Sequence, residues 1–232
     1  MAGSRNSLDL SSARALQEEL ARRVRTEWRG GRLRRVAGLD ASYWGEMGIG
    51  AAVVMSWPAL EVLEERWVVQ EVSFPYIPGY LSFREVPLLE DALKGVRQSP
   101  DLLFVDGQGI AHPRGIGLAS HLGVLLGMPT IGCAKEPLVG SGEEPEDRRG
   151  AISPLCYRER VVGVALRTKP GVKPIYVSPG HLIDLERSWR VALEATRGYR
   201  LPEPVRRAHL LAQRVRRLLE AAGRPPGLCP PR

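Results

Sequence analysis

Apolar residues recur along the chain with two periods, and the switches between them divide it into elements. Near the start, Leu16, Leu20 and Val24 repeat at every fourth position with Arg and Glu between them. That spacing predicts a helix with one apolar face, capped by Asp9 or Ser11. Apolar runs over 34–43, 49–57 and 62–72, separated by Gly and Pro, predict three strands joined by tight turns, which is an antiparallel meander. Two prolines and a glycine over 74–80 exclude regular structure from an aromatic-rich stretch. Helical spacing returns over 82–96, with Val86, Leu89 and Leu93 on one side.

Residues 102–106 form a short continuous apolar run closing on an acid, as a buried parallel strand does. Beyond it the pattern predicts a helix over 116–126, strands over 129–134, 161–167 and 175–178, and helices over 182–196 and 204–222. The Gly- and acid-rich stretch 140–150 reads as a surface loop. A meander followed by alternating helix and strand predicts an α/β fold, a mixed central sheet of antiparallel meander then parallel strands, flanked by helices. Residues 1–222 are expected to form a single domain, and residues 223–232, with four prolines, a disordered tail.

Hydrophobic residues at 44% and charged residues at 25% are ordinary for a globular chain, so the informative figure is the formal net charge of +7. It favours an anionic partner, nucleic acid first, with acidic proteins and membrane surfaces left open. Three cysteines, Cys133, Cys156 and Cys229, lie far apart with no CxxC pair, which argues against a disulfide framework and a structural zinc site. With no signal-like apolar segment near Met1 and no run of bilayer-spanning length, a reducing, cytoplasmic setting is expected, without a membrane.

Three acids stand out by position. Asp40 closes the first strand, Glu85 opens the helix after the aromatic loop, and Asp106 closes the first buried strand. If those strands are neighbours, Asp40 and Asp106 lie within a few ångströms of each other. Clustered carboxylates repel, and such a set needs a cation or raised pKa values. Hard oxygen ligands without a Cys or His set point to Mg²⁺ or Mn²⁺. An acid at a strand end is as readily a turn former or cap, and spacing alone leaves the choice open. His209, four residues after Val205 on the last helix, reads as a buried structural histidine, as does His121. His112, on a loop beside Pro113, is the better functional candidate. The arginine pairs 206–207 and 216–217 fit either phosphate contacts or a solvated helix face.

Motifs then become specific. VAGLD at 36–40, PYIPG at 75–79, SFRE at 82–85, VDGQGIAHPR at 105–114, GLASHLG at 117–123 and IGCAK at 131–135 closely resemble the endonuclease V family. So do VSPGH at 177–181, RLPEP at 200–204 and AH at 208–209, in family order from about residue 35 to 215. The resemblance implies an RNase H-like fold and Mg²⁺-dependent hydrolysis, with Mn²⁺ able to substitute. The bond cut would be the second phosphodiester on the 3′ side of a deaminated purine, chiefly hypoxanthine, leaving a 3′ hydroxyl and a 5′ phosphate. The implied partner is double- or single-stranded DNA carrying deaminated bases, with inosine-containing RNA left open and a monomer as the default.

By position, Asp40, Glu85 and Asp106 match metal-binding carboxylates, His209 a histidine near the metal, and Lys135 a lysine near the scissile phosphate. Pro75, Tyr76, Ile77 and Pro78 match a wedge that parts the duplex, with Tyr76 inserted into the stack. A proline-stiffened loop loses little entropy on insertion, and an aromatic ring replaces the stacking of the departed base. Without the resemblance, Phe74, Tyr76 and Tyr80 would read as anchors of the loop on the core. The recognition pocket falls on Leu81, Gly107, Gly109, His112 and Gly117, where glycines admit a planar base to the backbone. Cys133 stands where a small aliphatic residue is expected. A non-catalytic binding module and another nuclease of the same fold, such as a junction resolvase, remain as rivals. The intact Asp40, Glu85 and Asp106 set speaks against the first, since a pure binder gains nothing from carboxylates facing phosphate. The second does not account for a PYIP loop joined to the long block after Val105.

Overall fold

The computed structural model describes residues 10–28 and 31–223. Its elements run α1 (Leu10–Arg23), β1 (Arg35–Trp44), β2 (Met47–Ser56), β3 (Val62–Glu71), α2 (Leu81–Lys94), β4 (Leu102–Val105), α3 (Leu118–Leu126), β5 (Thr130–Ala134), β6 (Ile152–Tyr157), β7 (Arg160–Leu166), β8 (Ile175–His181), α4 (Leu185–Glu194) and α5 (Glu203–Ala222). Among the described residues the strands form an eight-stranded sheet in the order β3-β2-β1-β4-β5-β8-β7-β6. The meander is antiparallel and β1, β4 and β5 are parallel. Beyond β5 the sheet turns antiparallel again through β8, β7 and β6. The parallel region is therefore three central strands, and their carboxyl ends open toward one edge.

Alternation along β1 assigns its residues to the two faces of the sheet. Val36 belongs to a core cluster with Phe104 of β4 and Val205, Ala208, Leu211 and Ala212 of α5. Ala37 and Leu39 belong to the opposite cluster, with Val86 and Leu89 of α2 and Leu118, Ala119 and Leu122 of α3. Helices cover both faces, which is why β1, β2 and β4 are almost wholly buried. Two strand glycines let these helices approach to backbone contact. A Cβ on Gly38 would lie 1.8 Å from the carbonyl oxygen of Pro204, at the start of α5. One on Gly50 would lie 2.3 Å from the carbonyl oxygen of Leu88 in α2.

Three differences from the sequence reading have physical causes. The buried stripe of α1 is Ala13, Gln17 and Leu20, while Leu16 is exposed, so the apolar period picked a face one position away. Gln17 can be buried because its amide is fully paired, as described below. Helix α1 begins at Leu10, which places Ser11 inside it; Asp9, the other expected cap, lies outside the described residues, as does the tail from 224 onward. Strand β6 was not expected, because Pro154 breaks its apolar run. It is tolerated on the last strand of the sheet, where one side has no neighbouring strand to receive a ladder bond. No helix among the described residues is long and apolar enough to cross a membrane.

Gly→Ala in a strand that had room for a methyl would stabilise by roughly 0.5–1 kcal/mol. Gly38→Ala is expected to do the reverse and destabilise by about 3 kcal/mol, because it drives β1 and α5 apart. The urea midpoint of the variant measures this, and an unchanged or raised midpoint contradicts the close approach.

Candidate active site

The register of β1 and β4 sets Leu39 beside Val105, and the Asp106 amide donates to the Leu39 carbonyl at 3.0 Å. The next residue on each strand is an acid, so Asp40 and Asp106 emerge side by side. Both fall on the α5 face of the sheet, and α5 supplies His209, whose Nδ1 lies 2.8 Å from Asp40 Oδ2. Ligand atoms of Asp40, Asp106 and His209 all lie within 4.8 Å of one another. Lys135, the residue after β5, donates from Nζ to Asp106 Oδ2 at 2.7 Å while remaining partly exposed. Glu85 arrives from α2 on the opposite face, where Tyr43 Oη donates to its Oε1 at 3.1 Å. Spacing alone reads His209 as a buried structural histidine and the family resemblance sets it near the metal-binding acids; it is partly exposed and directed at Asp40.

Charge is crowded here. Burial raises the Asp40 pKa, and the neighbouring Asp106 charge acts in the same direction, against the His209 bond. Burial also pushes Glu85 up to about 8, helped by the charges of Asp40 and Asp106. The hydrogen bond to Asp40 raises His209, which favours the imidazolium. Asp40, Asp106 and His209 form a close donor set that could hold a divalent cation, with Glu85 outside that group. A bound cation's charge would relieve the raised carboxyls of Asp40 and Glu85.

Beside Asp106 lies a cleft of about 290 Å³, near the lower end of the range for small-molecule sites. Tyr76, Pro78 and Leu81 line one part of it, and Gly107, His112 and Gly117 another. Gln108 and Leu138, which the sequence reading did not single out, also line it. Gly109 is not on this wall. Its missing Cβ would meet the Pro179 carbonyl oxygen at 2.0 Å, so its lack of a side chain serves packing against β8. Gly117 likewise lets the turn close, since a Cβ there would lie 2.4 Å from the Gln108 carbonyl oxygen. Burial pulls His112 down to about 4, so it is neutral. Its Nδ1 accepts from the Arg114 amide, which leaves Nε2–H to donate to the Gly79 carbonyl at 3.0 Å. His121 is structural as expected, bonded to Ser82 and edge-on to Phe83.

The aromatic loop divides the two roles considered for it. Phe74 stacks on Phe83 at 5.4 Å and Tyr80 tilts against the same ring, so both anchor the loop. Tyr76, between them, is 68% exposed. Pro75 and Pro78 are exposed as well, and Ile77 is half-buried.

Residues 18–210 match the family model described as Endonuclease V. The chain belongs to the endonuclease V family. An endonuclease V of Roseiflexus sp. (strain RS-1) is 50% identical over 207 residues, which cover 89% of this chain and 93% of the relative. The crystal structure of the endonuclease V of Streptomyces avermitilis is 46% identical, with a TM-score of 0.85 over 91% of this chain and 94% of that one. A Ciona intestinalis endonuclease V, solved in complex with a 23mer DNA containing an inosine followed by a ribo-adenosine, is 27% identical. Its TM-score is 0.81, over 90% of this chain and 98% of that chain.

Within this endonuclease V site, sequence reasoning passed over Tyr43 and Arg84. Arg84 places its guanidinium 4.1 Å above the Tyr43 ring and reaches back to the Phe74 carbonyl. Alternation held the signal for Tyr43: three residues after Asp40, it points to the opposite face of the strand, where α2 lies.

A raised carboxyl pKa means that the folded chain holds a proton which the unfolded chain releases near 4.5. Without added metal, stability should therefore fall as pH rises from about 4.5 to about 8 and level off above. Glu85→Gln should flatten that slope in part, the raised Asp40 keeping the rest, and be more stable than the parent by a few kcal/mol at about pH 8. Thermal melts of both proteins across this range test it; parallel curves would refute the crowded-charge description.

Proposed function

We propose that this chain is a DNA repair endonuclease that recognises deaminated purines, chiefly hypoxanthine, and hydrolyses the second phosphodiester on the 3′ side of the lesion. The products would be a 3′ hydroxyl and a 5′ phosphate. One observation carries the reading: Asp106 belongs at once to the acid cluster and to the wall of the cleft beneath Tyr76. A site for cutting and a site for an extruded base thus share a residue, with an exposed aromatic beside them. The Ciona intestinalis relative bound to inosine-containing DNA supports the choice of substrate.

In this reading residues 1–222 act as one endonuclease domain, and Mg²⁺ is the cofactor, with Mn²⁺ able to replace it. Asp40, Glu85 and Asp106 would hold it, as oxygen donors suit a hard cation. When bound, the cation lowers the pKa of water and stabilises charge on the phosphate oxygens. The chain's own side chains do the rest. His209, held by Asp40 and favoured as the imidazolium, is placed to pass a proton at the edge of the cluster. Lys135 keeps a positive charge at Asp106, near enough to meet a phosphate oxygen. Tyr76 stacks where the base has left, and Leu81, Gly107, His112 and Gly117 surround the base in the cleft. Hypoxanthine presents an acceptor at O6 where adenine presents an amine donor, so backbone N–H groups facing that edge select the lesion.

End-labelled duplex with a single deoxyinosine tests the reading, incubated with Mg²⁺ or EDTA beside an undamaged control and an inosine-containing RNA. A Mg²⁺-dependent nick one bond beyond the lesion's 3′ neighbour bond is expected on the DNA. Tight lesion binding without a nick would favour the binding-module alternative, and cutting confined to RNA would change the substrate class. Asp40→Ala and Asp106→Ala should each lower cutting by several orders of magnitude while leaving lesion binding largely intact. Tyr76→Ala should weaken binding of the inosine duplex by roughly tenfold, the loss of one base–aromatic stack. Full activity in either acid variant, or unchanged affinity in the tyrosine variant, would remove the corresponding role.

A further inference from the structure

Gln17 is fully buried on α1, a helix whose remaining residues are mostly exposed. Burying a side-chain amide is unfavourable unless both of its ends are paired. Here both are. Nε2 donates to the Gly79 carbonyl at 3.0 Å, and Oε1 accepts from Arg114 Nε at 2.6 Å. Arg114 closes the ring by donating from Nη2 to the same Gly79 carbonyl at 2.5 Å, and His112 Nε2 donates to it as well at 3.0 Å. One carbonyl with two lone pairs thus faces three donors, from positions 17, 112 and 114. The pairing fixes the orientation of the Gln17 amide, since the Gly79 carbonyl can only accept and the Arg114 guanidinium can only donate.

The carbonyl held in this way sits at the root of the aromatic loop. Gly79 follows Pro78 directly and has a φ of +80°, a conformation that other residues rarely adopt. The Tyr80 amide closes the turn onto the Ile77 carbonyl at 2.9 Å, and the Arg114 guanidinium lies 4.4 Å above the Tyr80 ring. Helix α1 is itself fixed by Leu20, which packs with Ile116 and Val124 on the α3 side. The ring of hydrogen bonds therefore ties three distant segments together: the first helix, the base of the loop that carries Tyr76, and the turn over 112–114, whose His112 lines the cleft. Gln17 lies outside residues 18–210, the stretch matched by the family model.

We propose that Gln17 is a positioning residue that sets the angle of the Tyr76 loop over the cleft, so that the N-terminal helix takes part in lesion recognition. This rests on the proposed function for the meaning of the loop, but not for the mechanical link. Gln17 belongs neither to the acid cluster nor to the residues that line the cleft; it acts through its bonds to Gly79, which does line it, and to Arg114. Its loss should affect capture of the lesion and leave the chemical step alone.

Two substitutions in the full-length chain test this. Gln17→Met keeps the length and the apolar packing but removes both polar ends. Gln17→Glu keeps an acceptor for Arg114 and loses the donor to Gly79. Hydrogen exchange over 74–83 is measured without substrate, and KM and kcat on the deoxyinosine duplex with Mg²⁺. For Gln17→Met we expect amide exchange at Tyr80 to quicken by about tenfold and KM to rise by about tenfold, with kcat and affinity for undamaged duplex changed by less than about twofold. Gln17→Glu should fall between the parent and Gln17→Met. Unchanged exchange together with unchanged KM would overturn the proposal, as would a fall in kcat at constant KM. If the parent itself ignores inosine, the proposed function fails, and the exchange result alone decides whether Gln17 holds the loop.

Discussion

The site depends on how closely two helices can lie against one sheet. Gly38 lets α5 touch β1 at Pro204, and His209 follows Pro204 by five residues, about 7.5 Å along the helix axis. Gly50 does the same for α2 at Leu88, one helical turn beyond Glu85. Each functional side chain is thus placed from a backbone contact with no side chain intervening. Such contacts leave little slack, because carbonyl and Cα meet as hard surfaces. Any residue larger than glycine would lift its helix by an ångström or more. The 2.8 Å contact between His209 and Asp40 would then pass the range in which a hydrogen bond has useful strength. The two helices bring His209 and Glu85 toward the strand acids from opposite faces, at the points where these glycines leave no side chain in between.

The three acids are not equivalent in the electrostatic balance that results. Asp40 has His209 and Asp106 has Lys135, so each strand acid meets a positive partner on its own side. Glu85 comes from the other face and meets the neutral hydroxyl of Tyr43, with Arg84 engaged above the tyrosine ring. Burial, with the charge of Asp40 beside it, drives its carboxyl up to about 8, and the buried Asp40 is raised as well despite its bond to His209. A cation held near these acids would favour the ionised state of both raised carboxyls, Asp40 and Glu85, so its affinity would rise with pH.

Adjacency of Asp40 and Asp106 was legible in the sequence because two short apolar runs each ended on an acid, and parallel neighbours align their ends. Glu85 was legible from its place in the first turns of an amphipathic helix. The place of His209 beside Asp40 was legible only from the family motif, because periodicity reports no more than that α5 has a buried face. Which part of that face meets Asp40 is set by the contact between Gly38 and Pro204, separated by most of the chain. Tyr43 was missed since its partner Glu85 lies on α2, beyond two further strands of the chain, and β6 because Pro154 hides an edge strand. Gln17 was invisible for a further reason: hydrophobic periodicity treats a glutamine as outward-facing, whereas a fully paired amide can face inward. Apart from β6, which pairs with its neighbour β7, each failure involves a pairing between distant segments, which local patterns do not encode.

Stiffness of the aromatic loop follows from the same kind of distant pairing. Phe74 and Tyr80, on either side of Tyr76, share one partner ring in Phe83, and that ring packs edge-on against the buried His121. Both ends of the loop are therefore fixed to the start of α2 and, through it, to the core. Pro75 and Pro78 restrict the backbone between those anchors. A side chain that must enter a base stack gains affinity when its loop is already ordered, because less conformational entropy remains to be lost on binding. Tyr76 is free at its ring yet restrained at its backbone, the combination that a wedge requires and that a mobile loop or a buried anchor would each lack.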